Sequence, residues 1–312
     1  MKSNQNPLVS IIIPTYNRAN IIGETLDSIL AQTYTNWECI VIDGRSTDKT
    51  LEVLETYCKK DNRFQFHKRS KNWIKGPNFC RNYGYKMCSG KIINWLDSDD
   101  LYKKDVLRKV VNEFTNDIDA TVVKIEKFNS KTKEVISENN IIEDYFIRKI
   151  TFYVCGLFWK RSFLEKQDCL FDETISNLDD WDFNLRMLYQ EPKISYIHKS
   201  LIKYRIHNNS LSNEINKLNF KEIQSEFKAR EKQIQLLKNN KKVDSIILKT
   251  FIKKRYKHIF RESLIKKHSK RFFFLKKLLS KQFQLFDFSG GLKTLFGFLF
   301  FSIFNKGHIL LK

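Results

Sequence analysis

The chain has 312 residues, 42% of them hydrophobic and 14% aromatic, which is ample for a large core and excludes global disorder. Its formal charge of +21 leaves nucleic acid, an anionic membrane surface and a polyanionic substrate open as partners. From Phe251 to Lys312 fifteen Lys or Arg face only Glu262 and Asp287, so +13 of the +21 is concentrated there.

Six cysteines (Cys39, Cys58, Cys80, Cys88, Cys155, Cys169) form no CxxC pair and several lie in apolar runs, the pattern of reduced, buried thiols. Residues Met1 to Pro7 carry no apolar stretch of signal-peptide length, so a cytoplasmic location is expected.

Val9-Ser10-Ile11-Ile12-Ile13 predicts a buried strand stopped by Pro14, followed by a helix with Ile22, Leu26, Ile29 and Leu30 on one face. Trp37 to Ile42 predicts a second strand ending at Asp43-Gly44. Ser46 and Asp48 are candidate caps for a helix bearing Leu51, Leu54 and Cys58, and Arg63 to His67 predicts a weaker third strand. After Gly76-Pro77-Asn78, a helix is expected over Phe79 to Cys88, closed by Gly90 in a left-handed conformation. Ile92 to Leu96 predicts a fourth strand that runs into Asp97-Ser98-Asp99-Asp100. Alternating strands and helices with polar residues at strand ends are the pattern of an α/β fold that binds ligands at the carboxyl edge of a parallel sheet.

Further strands are expected near Thr121 to Ile125 and Lys193 to Ile197. A catalytic domain is expected over 1–212, with a nucleotide-binding half at about 8–100 and an acceptor half at about 101–212. Residues 213–312 predict a basic helical extension, helical from Glu214 to Leu279 and broken at Ser289-Gly290-Gly291. The apolar run Leu295 to Phe304 is about half the ~20 residues of a membrane-spanning helix.

Three carboxylates within four residues repel one another unless a cation or solvent compensates them. Asp97, Asp99 and Asp100 therefore suit Mg²⁺ or Mn²⁺ carrying a diphosphate, or equally a solvated acidic turn. Asp179-Asp180-Trp181-Asp182 is a second acidic group. It suits the dipole of a helix N-terminus, and it equally suits a base that accepts a hydroxyl proton.

These pieces occur in one order: Val9-Ser10-Ile11-Ile12-Ile13-Pro14-Thr15-Tyr16-Asn17-Arg18, Gln32-Thr33-Tyr34, Val41-Ile42-Asp43-Gly44-Arg45-Ser46-Thr47-Asp48, Arg81-Asn82-Tyr83-Gly84, Leu96-Asp97-Ser98-Asp99-Asp100 and Asp179-Asp180-Trp181-Asp182-Phe183. In that order they resemble family 2 glycosyltransferases over roughly residues 8 to 212. The resemblance implies the GT-A fold, a Rossmann-like, mostly parallel central sheet with flanking helices. It also implies a nucleotide-diphosphate sugar donor, UDP-sugars foremost, with Mn²⁺ or Mg²⁺ and inversion at the anomeric carbon.

Carried over, Tyr16 stacks on the nucleobase, Asp43 bonds its edge, and Pro14 and Thr15 shape the loop beneath. Asp97 meets the ribose or the metal, Asp99 binds the metal, and Arg81 supports the nucleotide or the acidic turn. Asp180 is the general base, Asp179 and Trp181 lie on the acceptor side, and His207 is a further candidate metal ligand. Many relatives have Asp-Asp-Gly-Ser where this chain has Asp43-Gly44-Arg45-Ser46.

No Gln-x-x-Arg-Trp motif of processive synthases follows Trp181. Transfer of one sugar is therefore expected, and the resemblance implies a hydroxyl of a glycan or lipid-linked acceptor in bacterial surface-polysaccharide synthesis. In the basic stretch 251–312, Lys266, Lys267, Lys270, Lys276 and Lys277 alternate with Phe272, Phe273, Phe274 and Leu275. That pattern suits peripheral attachment to the anionic inner face of the cell membrane, or a helical subdomain with a solvated basic face. The competing readings are a nucleic-acid-binding basic protein and a non-catalytic module. Zinc-finger or RNP-like motifs are absent, so no nucleic-acid partner is expected, and the three acids Asp97, Asp99 and Asp180 favour an enzyme.

Overall fold

A computed structural model describes residues 6–127, 141–205, 211–237 and 243–306. The chain divides into two compact units, one of Met1–Ile141 with Lys149–His207 and one of Ile142–Arg148 with Asn208–Lys312.

Among the described residues of the first unit, eight strands form one sheet. They are β1 (Val9–Thr15), β2 (Trp37–Asp43), β3 (Phe64–Lys68), β4 (Ile92–Trp95), β5 (Leu101–Tyr102), β6 (Ala120–Lys127), β7 (Leu157–Lys160) and β8 (Ile194–Tyr204). Their order is β3-β2-β1-β4-β7-β6-β8-β5. The four strands β3, β2, β1 and β4 are parallel, and β7 enters antiparallel to β4. All seven residues of β1 are buried, as expected for a strand covered on both faces. The predicted α/β architecture is the one observed.

Because β2 and β3 lie on one side of β1 and β4 on the other, the winding reverses between β1 and β4. A crevice opens at such a point outside the carboxyl ends of the strands. Tyr16 follows β1 and Asp97 follows β4, so both flank it.

Pro14 does not stop the first strand, which continues to Thr15. The Ile12 carbonyl accepts from Leu96 N, and the Thr15 carbonyl accepts from Gly44 N. By alternation the Pro14 nitrogen faces the β4 side, where pairing has already ended at Ile12–Trp95, so its missing N–H removes no ladder bond.

The helices of this unit are α1 (Ile22–Leu30), α2 (Thr50–Lys60), α3 (Pro77–Met87), α4 (Val106–Glu113), and, after α5 (Ile141–Phe146), α6 (Arg161–Leu164) and α7 (Asp179–Leu188). Pro77 stands in the first turn of α3, where a missing N–H is harmless. A Cβ on Gly84 would meet Ile42 Cγ1 at 3.2 Å and collide with Ile12, so glycine here lets α3 lie directly on β1 and β2. Gly90 is not left-handed, contrary to expectation. It is required because a Cβ would lie 2.7 Å from Ser10 N and 2.8 Å from Leu8 O.

The second unit contains α8 (Leu211–Asn216), α9 (Phe220–Leu237), α10 (Ser245–Ile265), α11 (Arg271–Gln284) and α12 (Phe288–Phe304). Its core sets Phe227 against Tyr256 with ring centroids 3.9 Å apart, among Ile252, Leu264, Phe274 and Leu278. Ser289-Gly290-Gly291 does not break the helical pattern; it is the first turn of α12. Asp287 caps that turn by accepting from Gly290 N at 3.0 Å and also holds Lys253 Nζ at 2.8 Å. A Cβ at Gly290 would lie 2.6 Å from the Asp287 carboxyl carbon, so the glycine belongs to the cap. None of the described helices is long and apolar enough to cross a membrane.

Candidate active site at the carboxyl edge of the sheet

The loops after β1 and β2 are tied into one shelf. Asn17 N donates to Ser46 Oγ at 2.8 Å, Thr47 N to Asn17 Oδ1 at 2.8 Å, Arg18 N to Thr50 Oγ1 at 2.8 Å, and Ala19 N to Asp48 Oδ2 at 3.1 Å. Asn17 and Arg45 adopt left-handed backbones with φ of 51° and 78°, which makes the two turns tight enough to interlock. Tyr16 stands out of this shelf at 56% exposure, while Thr15 beneath it is buried with its hydroxyl unpartnered among the described residues.

Asp43 is fully buried and turns its carboxylate onto its own loop, accepting from Arg45 N at 2.9 Å, Ser46 N at 3.0 Å and Ser46 Oγ at 2.5 Å. A carboxylate has about four acceptor positions, so most of its capacity goes to shaping the shelf. Ser46 and Asp48, expected as helix caps, both serve this loop junction, and Asp48 also accepts from Thr50 N at 3.0 Å.

The acidic turn after β4 is held by three hydrogen bonds from two residues. Thr25 Oγ1 of α1 donates to the Ser98 carbonyl at 3.1 Å, Arg205 Nε donates to the Asp99 carbonyl at 3.1 Å, and Arg205 N donates to Asp100 Oδ1 at 3.0 Å. Asp100 is buried, and burial together with the Asp97 and Asp99 charges pushes its pKa well above the usual carboxylate range. It is thereby an internal acid of the turn, and Asp97 and Asp99 are its outward carboxylates. Tyr204 sits beside the same charges. Burial, then Asp97, Asp100, Cys155 and Asp180, raise its phenol pKa, so Asp180 shares the electrostatic neighbourhood of the turn.

Arg81 connects this turn to the second acidic group. Its guanidinium donates from Nη2 to Asp97 Oδ1 at 2.9 Å and from Nη1 to Asp179 Oδ2 at 2.6 Å, with Asn78 Oδ1 at 3.2 Å. Burial works against the charge, but the two carboxylates outweigh it and raise the Arg81 pKa above its ordinary value. A solvent-exposed salt bridge, the simplest expectation for a helical arginine, is thus replaced by a buried strut.

Asn78 and Asn82, one turn away on the same face of α3, hold the segment leading to α7. Asn78 Nδ2 donates to the carbonyls of Asp172 and Ile175, each at 2.8 Å, and Asn82 Nδ2 donates to the Phe171 carbonyl at 2.9 Å. Leu178 then adopts a left-handed φ of 62° immediately before Asp179 and Asp180, a strained conformation of about 1–2 kcal/mol that the surrounding packing maintains.

Among the predicted site residues, Asp97, Arg81, Asp179 and Asp180 are thus brought together, while Pro14, Thr15, Tyr16 and Asp43 line the neighbouring shelf. Trp181 keeps only 4% of its surface exposed, so it seats α7 and has little ring to offer an acceptor. His207 lies outside the described residues. Thr25 and Asn78 carry weight here but had no spacing signal, whereas Tyr204 and Arg205 begin a run, Tyr204 to Ser212, that resembles the end of the family's catalytic region but does not reveal their partners. Arg205 acts on residues 105 and 106 positions before it.

Among the described residues no three metal-binding side chains gather. Asp97 and Asp99 nevertheless fit a hard divalent cation. Mg²⁺ or Mn²⁺ is commonly held by one or two carboxylates and completed by water and substrate phosphates. Burial is the first cause of the raised Asp100 pKa, and the Asp97 and Asp99 charges add to it; that second part is what such an ion would relieve.

The family model described as Glycosyl transferase family 2 matches residues 10–177. EpsJ of Bacillus subtilis, a glycosyltransferase by name, is 28% identical over 220 residues, covering 66% of this chain and 63% of that protein. The poly(ribitol-phosphate) beta-glucosyltransferase of Bacillus spizizenii is 32% identical over 193 residues, covering 60% of this chain and 30% of the relative. The chain therefore spans less than two thirds of the length of either. The crystal structure of S. aureus TarS residues 1–349 with UDP-GlcNAc has the same fold, with a TM-score of 0.64 at 20% identity, covering 88% of this chain and 80% of that one.

Proposed function

From the premise that the chain belongs to glycosyl transferase family 2, we propose that it is an inverting enzyme moving one sugar from a nucleotide-diphosphate donor to an acceptor hydroxyl. The observation that carries this is the Arg81 strut, since one guanidinium spans the acidic turn at Asp97 and the N-terminus of α7 at Asp179. Chemistry at an anomeric carbon requires the leaving diphosphate and the proton acceptor within one substrate's reach, and a link between the acidic turn and the start of α7 supports that reading.

In this reading Tyr16 stacks on the base, Asp43 fixes its shelf and Thr15 offers a hydroxyl from beneath. Asp97 and Asp99 hold Mn²⁺ or Mg²⁺, which when bound neutralises charge on the diphosphate. Asp180, in the first turn of α7, accepts the proton of the attacking hydroxyl. The acceptor approaches over the start of α7. UDP-sugars are the first donors to try, as the fold is shared with a protein crystallised with UDP-GlcNAc. The acceptor in this reading is a surface glycan or a lipid-linked one; the Bacillus spizizenii relative is by name a glucosyltransferase of a polymer, poly(ribitol-phosphate). In the same reading the enzyme works from the cytoplasm, with the basic stretch 251–312 bringing it to an anionic membrane where such an acceptor resides.

Calorimetric titration of UDP with Mn²⁺, alongside a transfer assay, tests the assignment of roles. Asp99→Ala is expected to lose metal-dependent nucleotide binding, and Asp180→Asn to retain binding but lose turnover. Full transfer by both variants would overturn the mechanism.

A further inference from the structure

The membrane attachment just proposed can be narrowed to one element. In α11, the helix whose Lys and Phe alternation suggested an interfacial role, Phe274, Leu275 and Leu278 are buried, and Lys281 is buried against Glu231 at 3.0 Å. These three apolar side chains build the unit's own core, Phe273 and Leu279 are half-buried, and Phe272 and Phe283 remain exposed.

α12 is different. Its only charged residue is Lys293, and the stripe Thr294, Gly297, Phe298 and Phe301 is buried. Apart from Ser289, Lys293 and Ser302, the exposed side chains of the helix are apolar: Leu292 is 69% exposed, Phe296 64%, Leu299 58% and Ile303 71%. Phe296, Phe300 and Phe304 follow one another along it with ring centroids 6.3 and 4.6 Å apart, and Phe283, Phe286 and Phe288 extend it at the other end. A helix on a water-facing surface normally carries polar residues there, and a continuous apolar face of this kind marks a docking surface.

Charge and length indicate what docks. Asp287, one of only two acids after Phe251, is engaged by Lys253 and by the α12 cap, whereas Lys276, Lys293 and Lys306 are exposed. A second copy would bring like charge to this face, while an anionic lipid surface brings the complement. Seventeen residues are fewer than the ~20 of a span, and one stripe is already committed to the protein, so the helix lies along a bilayer and does not cross it. We propose that α12 inserts flat into the interface of an anionic membrane, with Leu292, Phe296, Leu299 and Ile303 among the acyl chains and Lys293 and Lys306 at the headgroups.

Flotation of the full chain with phosphatidylcholine vesicles, with and without phosphatidylglycerol, tests this. Wild type is expected to bind the anionic vesicles more strongly. The triple variant F296S/L299S/I303S is expected to lose at least about tenfold in partitioning, or ~1.4 kcal/mol, with circular dichroism and Tm unchanged because all three positions are exposed. A separate Phe296→Trp variant reports without disrupting the surface, its fluorescence being quenched by brominated acyl chains.

Equal partitioning of the triple variant, together with no quenching in the Phe296→Trp variant, would show attachment by charge alone and overturn the assignment to α12. Dimerisation without lipid that the triple variant abolishes would assign the face to a second copy and overturn it too. Failure of wild type to bind either vesicle would remove membrane attachment altogether. Transfer to a soluble acceptor, measured on the same variants, is expected to stay unchanged, which separates this inference from the enzymatic one.

Discussion

Two buried arginines, Arg81 in the first unit and Arg230 in the second, solve different problems with the same chemistry. Arg81 is one cation shared by two carboxylates on different elements, the turn after β4 and the start of α7. Around Arg230 the ratio is inverted. Arg230 and Arg255 converge on Glu226, with Arg230 one turn along the same helix and Arg255 reaching over from α10 with bonds of 2.7 and 2.9 Å. Burial lowers the Arg230 pKa and Arg255 lowers it further, whereas Arg81 is raised by its two acids. The Arg81 carboxylates keep 33% and 14% of their side-chain surface, while Glu226 keeps 2%. The Arg81 network stays partly open between two elements, whereas the network at Glu226 is closed and ties α9 to α10.

The first way to test that contrast is to remove the proposed base, Asp180, the residue next to the Arg81 partner Asp179. Asp180→Asn is expected to lower kcat by about 10²–10⁴, the usual contribution of a general base, while thermal unfolding stays within about 1 kcal/mol of wild type. A stability loss of several kcal/mol with kcat/KM preserved would place Asp180 with the structural acids.

Glu226→Gln should do the opposite. Taking the carboxylate from two guanidinium groups that share it costs about 3 kcal/mol or more, read as a shift of several degrees in Tm, with the kinetics of the remaining folded enzyme unchanged. Its pH dependence has a definite sign. Burial raises the Glu226 pKa, but Arg255 and Arg230 outweigh it and leave the folded value below the ordinary one. The stabilisation is therefore complete above the unfolded carboxylate pKa of about 4.3 and is lost as pH falls through the lower folded value, a loss that Glu226→Gln would lack. Identical acid unfolding of both proteins would count against it.

These contrasts also mark how far the sequence could be read. The parallel strands, the acidic turn and the second acidic group are legible because each is a contiguous run with a local physical reason: a β-branched stretch, a cluster of like charges, acids at a helix start. Gln32-Thr33-Tyr34 is legible as a motif, but its role is not. Gln32 Nε2 donates to the Lys103 carbonyl at 3.0 Å and Tyr34 donates to the Pro7 carbonyl at 2.5 Å, so these residues brace loops. Arg205, Asn78 and Thr25 act on partners far away in sequence, and no periodicity links them. Gly90 misled for a related reason. A glycine after a helix suggests a left-handed cap, and only the fold reveals Leu8 and Ser10 pressed against it. The helical unit was least legible, since alternating Lys and Phe does not reveal which aromatic rings turn inward.

Arg81→Met breaks the strut itself. Asp97 and Asp179 would then face one another, but their partial exposure lets water screen them, so the stability loss should be smaller than for Glu226→Gln, about 1–2 kcal/mol. Activity should suffer more, with kcat/KM falling about 10²-fold, because misplacing a reacting group by about 1 Å costs that much. Nucleotide binding titrated alongside would show whether the acidic turn or the α7 end is released.

Arg81→Lys asks whether charge alone is enough, and it carries the smallest expected effect. An ammonium restores the positive charge but is a single point on a flexible stem, unable to direct two separate N–H groups to two carboxylates as the planar guanidinium does. It also gives up the guanidinium's position over the Phe171 ring, 5.2 Å away. If the Arg81 site is chiefly electrostatic, lysine should restore almost everything that methionine removes. If it is a strut, lysine should restore stability while leaving kcat down by about tenfold, ~1.4 kcal/mol, because the turn and α7 would no longer be held in register. The same substitution at Arg230, whose Nε and Nη2 both approach one oxygen of Glu226 on its own helix, should be milder in function and visible only in Tm. Recovery of wild-type kcat by Arg81→Lys would reduce the strut to a simple charge and dissolve the distinction between the two arginines.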